Sequence, residues 1–204
     1  SRRKRELVHG VVAFGGGVLV SAVAFALAPE GMVYLHPAVL AALFAAGGVT
    51  FCVLDARIAR AGGSRAQFMA MLMDFIPEAI SMGAVFGHDR RLGVLLAIFI
   101  GAQNLPEGFN AFREMVSSGN KSRTTLLALL LVSILGPVAA LTGHFLLQDL
   151  KSVTAGIMTF AAGGILYLIF QDIAPQARMH RHWGPSLAAV AGFLVGMIGK
   201  QLLG

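Results

Sequence analysis

Apolar and polar positions divide this chain into seven apolar runs, near 9–29, 36–54, 68–87, 91–112, 124–147, 152–175 and 184–203. Each is close to the ~20 residues that carry a helix across a hydrocarbon core. All are too long for ordinary strands, and a helix satisfies its own backbone where no water reaches it. The pattern predicts an all-α, polytopic transmembrane helical bundle of seven spans, with residues 1–204 forming a single transmembrane domain.

Composition agrees with that pattern. The chain is 56% hydrophobic and 13% charged, with mean hydropathy +0.75, whereas a soluble domain is about 25% charged. The lipid bilayer is therefore one expected partner, and the expected location is multi-pass, in a bacterial inner membrane. Twenty-five glycines suit close helix contact in lipid. Gly15-Gly16-Gly17 and the Gly192-x-x-x-Gly196 spacing read as packing surfaces.

A formal charge of +6 in a soluble protein would suggest nucleic acid. Here twelve of the sixteen Lys and Arg residues fall on the side of the N-terminus, and only Arg90, Arg91, Lys151 and Lys200 on the other. That asymmetry predicts a cytoplasmic N-terminus and an external C-terminus. No basic face interleaved with aromatics appears, so nucleic acid is not an expected partner. Arg2–Arg5 before an apolar run ending Ala26-Leu27-Ala28 resembles a secretory signal. The run exceeds the ~7–15 residues of such a core, however, and Pro29 follows it, so it reads as a retained span. The single Cys52 has no internal disulfide partner.

The chemistry sits in two short segments, Asp74-Phe75-Ile76-Pro77-Glu78 and Gln103-Asn104-Leu105-Pro106-Glu107, on consecutive and hence antiparallel spans. Asp74 and Glu78 are four residues apart, as are Gln103 and Glu107, so each pair shares a helical face. Depths counted from the cytoplasmic ends place Asp74 opposite Glu107 and Glu78 opposite Gln103. Pro77 and Pro106 remove the helix bonds to the carbonyls of Met73 and Ala102, adding oxygen to an oxygen-rich place. An ionised side chain deep in a bilayer costs ~2.5–3.5 kcal/mol on insertion scales. With no Lys or Arg in either segment, a visiting cation or a proton must balance the acids. Three carboxylates, an amide and freed carbonyls describe a divalent-cation site; protonated acids that merely bridge helices are the competing reading. Paired proline-broken helices of this kind are one way transporters build a binding site.

The same stripe continues to Asn110 and Glu114, as an exit path or a solvated helix end. Gln171 and Asp172 close the sixth span near the cytoplasm, as an inner gate or as interface residues. His180 and His182 follow in a basic loop. On the outer side, Glu30, His36, His88 and Asp89 either attract cations or are scattered loop polarity. Met73 and Met82 flank the box, as packing or as soft sulfur donors.

At these residues the chain resembles the ZIP (Zrt/Irt-like) family of divalent metal transporters. The carriers are Asp74-Phe75-Ile76-Pro77-Glu78-Ala79, Gln103-Asn104-Leu105-Pro106-Glu107-Gly108, and Gly163-Gly164-Ile165-Leu166-Tyr167 leading to Gln171-Asp172. The resemblance covers essentially the whole chain if its first span matches the family's second. It implies an eight-helix pattern, so Ser1-Arg2-Arg3-Lys4 reads as the loop after a first helix, in a fragment or a shortened protein. The chain also departs from the pattern. The family's first motif starts His-Asn, where Asp74 and Phe75 stand here. Gly136-Pro137 occupies the fifth-span position where relatives can carry an acid for a second metal, and the sixth-span His-Glu becomes Gln171-Asp172.

The resemblance thus implies a mononuclear site of Asp74, Glu78, Gln103 and Glu107, with Asn104, Asn110, Gln171, Asp172 and Met73 around it or on the path. Oxygen ligands favour Mn²⁺ or Fe²⁺, and the family keeps Zn²⁺ in view. It implies no cofactor beyond the transported ion, inward transport by alternating access, a homodimer, and no enzymatic activity. Two rivals stand beside it: a transport-incompetent metal-binding sensor or scaffold, and an intramembrane metalloenzyme.

Overall fold

The computed structural model describes residues 2–61, 64–179 and 183–203. Inside its helices, the side chains of residues 2–4, 59, 61, 64–71, 73, 74 and 106 lie outside that description. The described residues are helical almost throughout, without strands. We number the spans α1 (Arg5–Tyr34), α2 (Pro37–Ala61), α3 (Ser64–Phe86), α4 (Arg90–Ser117), α5 (Ser122–Leu147), α6 (Lys151–Ala177) and α7 (Gly184–Leu203). Each expected apolar run falls on one of them. Six are long and apolar enough to cross a membrane, and α3 contributes the shorter apolar stretch Phe75–Phe86.

Glycine decides which helices touch. A methyl group at Gly17 of α1 would strike the Ala189 carbonyl of α7, and one at Gly192 would strike the Phe14 carbonyl in return. Gly47 and Gly163 make the same reciprocal contact between α2 and α6, as do Gly83 and Gly143 between α3 and α5. Lipid tails give apolar side chains no reason to leave them, so close van der Waals packing must hold such pairs. The two glycine motifs expected to pack helices do so, on one and the same interface.

The tightest core lies among α1, α4 and α6, where Val18, Leu19, Leu95, Phe99, Met158 and Ile165 are buried. α1 and α6 each bury 56% of their most apolar window, α2 and α7 only 11%. The less buried helices α5 and α7 turn Leu131, Phe145, Leu187 and Val190 outward, a surface that suits lipid and would aggregate in water.

Prolines shape the helices locally. α1 contains a π turn at Val23–Leu27 just before Pro29, and α6 one at Ile169–Ile173 just before Pro175. A proline lacks the N–H that would bond four residues back, and the wider turn re-pairs the neighbours: Ala28 N–H bonds to Val23 O, Ala174 N–H to Ile169 O. Pro137 interrupts α5 at Ile134 for the same reason. Pro77 lies inside α3 without ending it.

Candidate metal site

A short turn over 87–89 joins α3 to α4. Asp89 caps α4 by accepting a hydrogen bond from the Leu92 N–H at 2.9 Å, a common device for the orphan donors of a first turn. The turn brings the two proline-bearing helices side by side. Glu78 of α3 is 3% exposed and Gln103 of α4 is 1% exposed. Gln103 Nε2 donates a hydrogen bond to Glu78 Oε2. The oxygen of the same amide, Gln103 Oε1, is buried with no hydrogen-bond partner among the described residues. A buried acceptor left so is costly, and it is a neutral oxygen ligand placed beside a carboxylate.

Glu107 follows one turn along α4 and is half-buried, as is Asn104, while Leu105 between them is exposed. The side chains of Asp74 and Met73 lie outside the described residues; their backbone belongs to α3, one turn before Glu78. Among the described residues, to which the Asp74 side chain does not belong, no three His, Cys, Asp or Glu side chains converge. Of the expected box, the structure thus brings Glu78 and Gln103 together. Phe75 lies with its ring against Gly136 of α5, where an added Cβ would come within 2.5 Å of Phe75 Cζ. An aromatic ring fills the place beside the fifth span.

A second polar layer lies at the end where the charge pattern puts the cytoplasm. Asn110 Nδ2 donates to Gln176 Oε1 at 3.3 Å, and Glu114 sits near Asn110, Arg113 and Asp172. Asp172, inside the π turn, is half-buried and within electrostatic reach of Asp55, whereas Gln171 is exposed. Tyr167 O–H donates to Asp55 Oδ2 at 3.0 Å. His9 Nδ1 is 2.6 Å from the Gln176 carbonyl. Sequence reasoning missed Asp55, Tyr167 and His9; an acid closing the apolar run of α2 was the signal available. His180 and His182 lie outside the described residues.

A multi-pass bundle with a dry carboxylate–amide pair between two proline-bearing helices is built as membrane transporters are built. Comparison with known proteins makes the class specific. Residues 66–203 match the family model described as ZIP Zinc transporter, and the chain belongs to that family. It is also similar to the Zinc transporter GufA of Myxococcus xanthus, 30% identical over 132 residues, which cover 64% of this chain and 50% of that protein. The chain thus spans about half the length of this relative.

Proposed function

We propose that the protein carries a divalent metal cation across the membrane, toward the cytoplasm, through one site formed by Asp74, Glu78, Gln103 and Glu107. The observation that carries this reading is the buried contact of Glu78 with Gln103. An acid in lipid is costly to ionise, and the Gln103 amide is one of the groups that meets Glu78 there. A divalent cation entering between α3 and α4 takes the Glu78 oxygens and the free Gln103 oxygen, and Glu107 adds charge from the next turn. The Phe75 ring against Gly136 supports a single metal rather than two, since it occupies the space a second ion's ligand would need.

The donor set is oxygen throughout, which suits Mn²⁺ and Fe²⁺ and accepts Zn²⁺; the name of the M. xanthus relative favours zinc. Transport alternates access by moving α3 and α4 against α1, α2, α6 and α7. α5 travels with α3, because Gly83 and Gly143 leave no slack between them. Homodimer assembly and a bacterial inner-membrane location are part of the same proposal.

Metal uptake into proteoliposomes tests it. Zinc or manganese accumulating in the lumen, and lost in Glu78→Gln, supports transport. Binding without flux supports the sensor or scaffold, and turnover of an added lipid or peptide supports the metalloenzyme.

A further inference from the structure

Five buried side-chain polar atoms lack a hydrogen-bond partner among the described residues, and four of them lie on α3, on α4 beside it and in the turn that joins the two. They are Gln103 Oε1 against Glu78, Ser81 Oγ one turn further on α3, and both ring nitrogens of His88 in the turn that follows. Facing His88 from α1 is Glu30, with Oε1 3.6 Å from His88 Nε2. Both side chains are 11% exposed. Glu30 reaches this position because it follows the π turn and Pro29 near the end of α1. An imidazole and a carboxylate both lose hydration here, yet they stand too far apart to hydrogen-bond.

We propose that Glu30 and His88 form an outer divalent-cation site of the zinc class, from which the ion passes Ser81 to reach Glu78. The inference rests on the transport reading above for its direction, not for the site itself. A 3.6 Å gap between nitrogen and oxygen leaves room for an ion bound at ~2.0–2.2 Å from each. A nitrogen donor suits Zn²⁺ over Mg²⁺, a selection that the oxygen box beyond it does not make.

Water completes the shell. A cavity of about 220 Å³ adjoins Glu30, space for several waters at ~30 Å³ each. Asp89, Arg91 and Lys200 also line it. The two cations there oppose a captured ion and keep its affinity moderate, as an ion that must move on requires. From Glu78 to Phe86, the end of α3, the rise is ~12 Å, a short step for a partly dehydrated ion with Ser81 on the way.

The test is zinc binding to the intact protein in nanodiscs, alongside uptake into proteoliposomes. Equilibrium dialysis should show one fewer zinc per protomer in His88→Gln and in Glu30→Gln, with excess Mg²⁺ failing to displace the ion from the parent protein. In both variants half-maximal uptake should need about tenfold more zinc, the equivalent of ~1.4 kcal/mol. Glu78→Gln should lose uptake and keep the outer zinc. Unchanged thermal unfolding of the glutamine variants shows that they are folded. Parent-like zinc stoichiometry in both overturns the outer site and leaves the transport reading standing. Zinc lost from both variants, with no uptake by the parent protein, keeps the site and overturns transport.

Discussion

The two polar layers of the bundle differ in water rather than in residue type. The inner pair, Glu78 and Gln103, is almost wholly buried and joined by a hydrogen bond, and Phe75, one turn before Glu78 on α3, packs on Gly136. The cytoplasmic layer spreads Asp55, Asn110, Glu114, Asp172 and Gln176 over half-buried and exposed positions, with hydrogen bonds of 3.0 and 3.3 Å. Similar side chains are therefore costlier to charge in the first place than in the second. On the transport reading proposed above, the drier layer is where the cation binds. On the same reading the other layer, more open to solvent, is where an ion would leave.

Substitutions break that contrast to different degrees. Glu78→Ala should have the largest effect, with uptake falling ~100-fold or more, equivalent to ~2.8 kcal/mol at 1.4 kcal/mol per decade. It also leaves the Gln103 amide without its acceptor, so thermal unfolding should reveal a loss of ~1–3 kcal/mol. Glu107→Ala should abolish metal binding at the inner site, measured by calorimetry, while the protein stays folded; unchanged uptake in this variant would refute the site. Gly143→Leu touches no polar layer but forces α5 off the Ile80 carbonyl of α3. Its overpacking should lower stability by ~1–3 kcal/mol, read as a drop in detergent melting temperature of ~2–4 °C per kcal/mol. Asn110→Ala in the wet layer should matter least. Losing one neutral, half-exposed hydrogen bond is worth ~0.5–1.5 kcal/mol, and uptake should change by no more than several-fold.

The spans were legible because lipid imposes a length on each apolar run, and all seven fall on helices. The Glu78–Gln103 contact was legible from depth alone, since consecutive antiparallel helices fix which residues lie level. The partners of the glycines were not. Gly192 announces a close contact in any sequence, but the Phe14 carbonyl that meets it is a tertiary fact. The π turns were hidden too, because hydropathy is blind to a one-residue register shift; Pro29 and Pro175 were their only trace. Glu30 and His88 read as outer residues that either attract cations or are scattered loop polarity, and their pairing across α1 and the turn after α3 was hidden as well. Phe75 against Gly136 needed both helices in place, as neither residue signals the other.

Anomalous diffraction from a crystal of the protein soaked in zinc or manganese tests the central claim most directly. The account predicts a peak between α3 and α4, within ~2.0–2.6 Å of carboxylate oxygens of Glu78 and Glu107. A metal-free space there at saturating ion, with Glu78 still held by Gln103, would contradict it.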